Sequence, residues 1–345
     1  MQPSYERNQN INFFRGIAVL NIVVIHTAFW FGTGFVPELY RNLTLLIDVP
    51  FFFYLSGWSS GLRDSNITRS GKSLLKLWLK WVFFITLVEL VCILSPSLTG
   101  VSGLEDLFRN YLFNVSLPGF PVIAGSVWFM PVYFLVIIVN TVILMLIQKS
   151  EKKKELQRTF MWLLLGSYVW VLYGNHLFGI PPEFLFYSFF WMLGYNQIGN
   201  CGNWKRLLAA LLVCSSLFFL SSYVHQQLYF DIQGAKFPTP MLKYLFASLP
   251  VILISKTFEN KICHPNRFLI HIGKNAIWYF FGQSIGSSIN EYVAEAVTLD
   301  IWQLKFLITI VINLVITILI AELLACSYKA ISALFAKLSR RLTSA

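Results

Sequence analysis

The sequence predicts an all-α, polytopic membrane protein of about ten transmembrane helices with both termini cytoplasmic. Three observations carry that prediction. Of 345 residues, 56% are hydrophobic and 12% charged, against about 25% charged in an ordinary soluble domain. Apolar stretches close to the roughly 20 residues needed to cross a bilayer recur along the chain. The basic residues cluster in every second connection. A soluble chain of this length could not hide that much apolar surface. The same composition excludes a disordered chain, a disulfide scaffold and a coiled coil. The net charge of +11 and pI near 9.4 then belong to cytoplasmic loops rather than to a nucleic-acid-binding surface.

Ten segments qualify as spans: roughly 11–32, 43–62, 74–95, 127–148, 159–178, 183–198, 206–224, 241–257, 268–289 and 303–327. The first is too long, and too interrupted by Arg15 and His26, to be a secretory signal, so it is read as a retained helix. The second opens near Asp48 and Pro50 and contains Ser56-Gly57, a pair that lets helices approach closely. The sixth and eighth are the shortest. Between the third and fourth lies the longest outer loop, about 96–126. Within it Gly103 to Asn114 reads as an amphipathic helix at the headgroup boundary. Neither an internal repeat nor a linker divides the chain, and one membrane domain is expected over 1–345. No loop could house a separate catalytic domain, so any chemistry must be done in or near the membrane.

Orientation follows from the basic residues. With the N-terminus inside, 21 of the 27 fall at cytoplasmic ends, five (Arg41, Arg109, Lys236, Lys243 and Lys305) fall outside, and Arg15 is intramembrane. The five cysteines form no CxxC pair and no cluster with histidine, so no metal site is expected. Cys92, Cys214 and Cys326 lie in apolar runs, Cys201 and Cys263 in connections.

Charge at membrane depth costs a few kcal/mol, so each such residue is a candidate site. Glu89 and Glu322 lie near span ends and are expected to be paired packing elements. Arg15 and His26 differ. Eleven residues at 100° each come within about 20° of three full turns, so both share one helix face, about 16 Å apart along the axis. One stripe thus carries a fixed cation near the cytoplasm, able to hold a phosphate or carboxylate, and a deep imidazole able to act as base or acyl relay. Asp48 starts the second span at a depth like that of His26. A carboxylate there would fix the imidazole tautomer and raise its basicity, so Asp48 is expected to pair with His26.

Three segments together resemble the acyltransferase 3 family of integral membrane acyltransferases. Asn12-Phe13-Phe14-Arg15-Gly16 followed by His26 is similar to its R-X10-H first span. Pro50-Phe51-Phe52-Phe53-Tyr54-Leu55-Ser56-Gly57-Trp58 is similar to its FF-x-x-SG segment. Val127-Trp128-Phe129-Met130 is similar to its Trp-Phe-Leu signature. The resemblance implies transfer of an acyl group, usually acetyl from cytoplasmic acetyl-CoA, to an acceptor that is often an extracytoplasmic glycan. It also implies His26 as the catalytic residue and Arg15 as a donor-binding one. Arg63 fits one of the arginines that often follow the SG segment. Lys76 and Lys80 stand where arginine is more usual and lose its bidentate recognition of phosphate. The segment Ile272 to Gln283 resembles one that often ends in His; Gln283 can only hydrogen-bond. His176, His225, His264 and His271 lie near the membrane faces and are read as surface or packing residues.

The expected protein is therefore an O-acetyltransferase of the bacterial cytoplasmic membrane. It would act on a surface glycan or glycolipid of the capsule or O-antigen type, among membrane lipid and alongside glycan-assembly enzymes. Direct attack with His26 as base is favoured over an acyl-histidine route, and both fit. The competing expectation is a proton-coupled exporter of a glycan or lipid precursor, to which the intramembrane charges would also be suited. It lacks the repeat symmetry that such carriers show.

Overall fold

The computed structural model describes residues 4–62, 66–94, 104–115, 117, 119–174, 180–224, 230–262 and 265–343. All regular structure among the described residues is helical. In order the helices are α1 (Ser4–His26), α2 (Glu38–Thr44), α3 (Val49–Gly61), α4 (Ile67–Leu94), α5 (Leu104–Tyr111), α6 (Pro121–Val127), α7 (Phe129–Ile147) and α8 (Lys153–Tyr173). There follow α9 (Pro182–Tyr195), α10 (Trp204–Val224), α11 (Ile232–Lys236), α12 (Leu242–Phe258), α13 (Arg267–Lys274), α14 (Ala276–Ala296) and α15 (Trp302–Thr343).

A helix lies at each of the ten expected segments. Five described stretches are long and apolar enough to cross a membrane: Gln9–Gly34, Ile67–Leu94, Pro121–Ile147, Trp204–Val224 and Trp302–Lys337. For two of the other five, shortness accounts for the difference. Helices α3 and α9 have 13 and 14 residues, fewer than the roughly 20 of a perpendicular span. Each starts at a proline in its first turn, where the missing N–H costs nothing. In the second segment the residues before Val49 extend the hydropathy but not helix α3. The amphipathic segment expected over 103–114 is helical as α5.

The chain forms two compact units. The first comprises Met1–Asn21, Pro37–Lys72 and Phe129–Lys274. Its centre is the pair α3 and α9, which meet backbone to backbone. A Cβ on Gly57 would strike the Trp191 carbonyl, one on Gly61 the Tyr195 carbonyl, and one on Gly194 the Tyr54 carbonyl. Aromatic rings fill the flanks: Phe53 stacks on Tyr187 with centroids 4.6 Å apart, and Phe186 on Tyr244 at 5.5 Å. The Ser56 and Tyr133 hydroxyls share a hydrogen bond of 3.0 Å. The early part of α1 docks on α13 in the same way, Gly16 against the Leu269 carbonyl and Gly273 against the Asn12 carbonyl. The segments around Arg15 and Gly273 are thus two halves of one contact.

These contacts predict a sharp contrast between glycines. Gly194→Val should prevent accumulation of folded protein, because backbone at the Tyr54 carbonyl cannot yield as a side chain can. Overpacking typically costs about 1–3 kcal/mol, and more where nothing can move. A Cβ on Gly166 in α8 would meet nothing within 4 Å, and Gly166→Ala should stabilise by up to about 1 kcal/mol through helix propensity. Size-exclusion profiles and thermal unfolding in detergent check both. A folded, unshifted Gly194→Val protein would refute the close approach.

The second unit comprises Ile22–Val36, Ser73–Trp128 and Asn275–Ala345. Helices α14 and α15 run antiparallel, and Gly282 and Gly286 admit the Thr317 and Asn313 side of α15. Phe84 of α4 stacks on Phe281 of α14 with centroids 4.5 Å apart. Helix α5 is fastened to α4: Trp81 Nε1 donates to the Asn110 carbonyl at 3.0 Å, and Asn110 Nδ2 donates to Glu89 Oε1. Glu322 accepts from the Tyr279 hydroxyl at 2.7 Å. Both intramembrane glutamates are thus paired packing elements, as expected.

Candidate active site

Helix α1 is continuous from Ser4 to His26, so the eleven-residue spacing keeps Arg15 and His26 on one stripe. Immediately after His26 the helix widens into a π turn over Thr27–Phe31, then tightens into a 3-10 turn over Gly32–Gly34. An extra residue in a helical turn needs side-chain support, and such turns concentrate at functional sites. Here Thr27 supplies the support. Its hydroxyl donates to the Val23 carbonyl at 2.8 Å and accepts from Asn313 Nδ2 at 2.9 Å. Asn313 Nδ2 also donates to Ser287 Oγ at 3.1 Å, and Ser287 donates to Gln283 Oε1 at 3.4 Å. Thr317 donates to Asn313 Oδ1 at 3.3 Å. The turn that begins beside the imidazole is therefore held by an uncharged polar seam between α14 and α15.

The His26 ring is half-buried, and its Nδ1 lies 3.5 Å from Ser126 Oγ, near the outer limit of a hydrogen bond. Ser126 gives its single proton to the Val122 carbonyl, so towards His26 it presents a lone pair. A neutral tautomer with its proton on Nδ1 would match that lone pair. Within the π turn Trp30 lies against Gly125, where a Cβ would meet the indole.

Asp48 lies at the start of α3 with two polar partners inside the first unit. Its side chain is 4% exposed, and Oδ2 receives both Lys236 Nζ at 2.6 Å and the Tyr244 hydroxyl at 2.8 Å. Within the first unit the carboxylate thus belongs to a buried ion pair. Lys236 closes α11, which Asn42 fastens from α2 by accepting the Ile232 and Gln233 N–H groups at 2.8 and 2.9 Å. Lys236 and Lys243, counted from sequence as outer-loop charges, are both buried. A second buried pair joins Lys256 Nζ to Glu259 Oε2 at 2.6 Å, with the ammonium 3.8 Å above the Trp58 ring.

Of the expected donor-binding residues, Arg15 belongs to the first unit and Lys76 and Lys80 to the second. Arg15 is half-buried, and its Nη1 reaches Asn12 Oδ1 at 3.5 Å. Lys76 is exposed on α4. Lys80, one turn on, places Nζ over the Trp278 ring, 5.4 Å from its centroid. Arg63 lies outside the described residues, as do Cys263, His176, His225 and His264. Among the described residues no group of three His, Cys, Asp or Glu could hold a metal ion.

An R-X10-H stripe thus ends in a supported π turn, in a chain with several helices fit to cross a membrane. The sequence profile described as "Acyltransferase domain", that of acyltransferase 3, covers residues 8–327. The chain belongs to the acyltransferase 3 family. It is an integral membrane acyltransferase by that membership and by its apolar helices. No curated protein and no solved structure matches it.

Within this acyltransferase 3 chain the FF-x-x-SG-like segment builds packing. Gly57 meets the Trp191 backbone, the Tyr54 hydroxyl donates to the Ile198 carbonyl at 3.0 Å, and Trp58 lies beneath Lys256. Sequence reasoning missed Ser126, Asn313, Ser287 and Lys236. Ser126 directly precedes the Val127-Trp128-Phe129-Met130 motif. The triplets Gln283/Ser287/Asn290 and Thr309/Asn313/Thr317 recur at helical spacing in otherwise apolar spans, which was the available signal.

Proposed function

We propose that this protein transfers an acetyl group from cytoplasmic acetyl-CoA to a hydroxyl of an extracytoplasmic glycan of the capsule or O-antigen type, with His26 as general base. The observation that carries the reading is the half-buried His26 imidazole at the start of a supported π turn, on one helical stripe with Arg15. In direct transfer the acceptor oxygen attacks the thioester carbonyl and gives its proton to the imidazole. The carbon–sulfur bond breaks, and the thiolate leaves, to be protonated as free coenzyme A. An acyl-histidine route uses the same ring as nucleophile. Ten crossings with both termini cytoplasmic put Arg15, Lys76, Lys80 and Arg63 on the donor side, where their charge attracts a polyanionic head group. Burial of Lys236 and Lys243 leaves the opposite side poorer still in free positive charge, which supports that orientation. The bacterial cytoplasmic membrane, where such glycans are assembled, is the setting, with glycan-assembly enzymes as neighbours. Family membership ranks this reading above export.

The test supplies labelled acetyl-CoA to inverted vesicles and follows base-labile acetyl esters on membrane glycan. Wild-type label that disappears in His26→Ala supports the reading, and equal label in both removes His26 from the chemistry. Substrate flux without any acetyl ester would favour export. In the same vesicles Arg15→Ala should raise the KM for acetyl-CoA about 10- to 100-fold with little change in kcat, the range of one charge-assisted hydrogen bond. An unchanged KM would remove Arg15 from the donor site.

A further inference from the structure

Asn290 lies on α14, one turn beyond Ser287 and on the same face as Ser287 and Gln283, since steps of four and three residues nearly close the helical turn. Its side chain is 0% exposed, and neither Nδ2 nor Oδ1 has a hydrogen-bond partner. Its polar neighbours differ. Ser284 and Ser288 bond to carbonyls one turn back, and Ser287 bonds to Asn313 and Gln283. Burying an amide without partners costs about 2–7 kcal/mol, depending on the reference state. Nearly all buried polar groups in folded proteins are satisfied. A carboxamide open on both its donor and its acceptor side, on a face where Gln283 leaves only its Nε2 without a partner and Ser287 is bonded twice, points to a group that arrives from elsewhere.

The position narrows what that group is. Ser287 is tied through Asn313 to Thr27, the residue after His26. Asn290 is therefore about 4.5 Å further along the helix axis than the level at which the catalytic turn is held. At the other end of α14 Lys80 caps Trp278, some twelve residues or about 18 Å from Asn290. The cationic end suits donor phosphates, and the amide lies past His26 from it. The polar members of this helix face and its seam, Gln283, Ser287, Asn290, Asn313 and Thr317, are all uncharged.

We propose that Asn290 is an acceptor-binding residue, its carboxamide pairing at once with a donor and an acceptor on a neutral hydroxyl- or amide-bearing group such as adjacent sugar hydroxyls or an N-acetyl substituent. The proposal rests on the reading of His26 as the base that serves the acceptor. It also explains why an unbonded amide persists where leucine would fit: a binding group is retained at the expense of stability.

The experiment compares full-length wild type with Asn290→Leu in three readouts. These are thermal unfolding in detergent, the rise in unfolding temperature caused by coenzyme A, and acetyl-ester formation in inverted vesicles containing their own glycan. The expected variant unfolds no earlier than wild type, keeps the coenzyme A shift, and loses acetyl transfer about tenfold or more, the value of two neutral hydrogen bonds. Earlier unfolding would show a structural amide and overturn the proposal. Loss of the coenzyme A shift would assign the amide to the donor arm, and transfer within about twofold of wild type would remove it from binding. A wild type that binds coenzyme A but forms no ester would instead sink the acetyltransferase reading and this proposal with it. That failure is distinct because it shows in the wild type rather than in the comparison.

Discussion

Replacing His26 by alanine is expected to lower acetyl transfer by about 10²–10⁴-fold, the range of a positioned general base, while the protein still inserts and folds. The ring is half-buried, and its contact with Ser126 is long. The π turn is held by Thr27, Asn313 and Ser287. His26→Ala should therefore leave thermal unfolding within about 1 kcal/mol of wild type, as for substitutions away from buried networks. Thr27→Val should do the reverse. It removes the hydroxyl that bonds Val23 and Asn313, so it should destabilise by about 1–3 kcal/mol for the group left unsatisfied and lower transfer by displacing the turn. Rates in vesicles and unfolding curves in detergent separate the two. An alanine variant that unfolds far earlier than wild type would make His26 a structural residue.

The second large effect is expected at Asp48. Its carboxylate and the Lys236 ammonium neutralise one another at 4% and 7% exposure. Removing one partner leaves an uncompensated buried charge and costs about 3–5 kcal/mol, whereas replacing both with apolar groups of like size is often neutral. Asp48→Leu alone should therefore unfold early or fail to accumulate, and Asp48→Leu/Lys236→Met should recover. The double variant also tests Asp48's role. A carboxylate that orients a catalytic imidazole is worth about 10⁴-fold in rate, so the recovered double variant would remain inactive if Asp48 did that work. A structural ion pair predicts a stable and active double variant, and the Lys236 contact leads us to expect that result. Tyr244→Phe, which removes one hydrogen bond to a charged group, should cost about 1.5–3 kcal/mol.

Asp48 also shows where reading from sequence stops. Depth along a helix axis is a single coordinate, and from sequence it assigns Asp48 and His26 similar levels. It says nothing of direction around the axis, or of which other element arrives there. Lys236 arrives on a five-residue helix pinned by Asn42 from 190 residues away in sequence. No local pattern announces such a contact. The Arg15/His26 stripe, by contrast, was legible because both residues belong to one helix, whose periodicity is fixed by backbone geometry. Gly57 was legible as a site of close approach through its Ser56-Gly57 pair. Its partner, the backbone at Trp191, was not.

The sequence by itself determined the solvent of this protein, its helical class, its family and the stripe on α1. Each depends on composition, on local period or on adjacent residues. The tertiary structure alone decided that Asp48 serves Lys236, that His26 faces Ser126, that Thr27 is tied to Asn313, and that Asn290 is buried without a partner. Those pairings join segments up to 286 residues apart. In a bundle of apolar helices the hydrophobic pattern is nearly uniform, so which polar groups meet is set by close packing and by the few hydrogen bonds that packing permits.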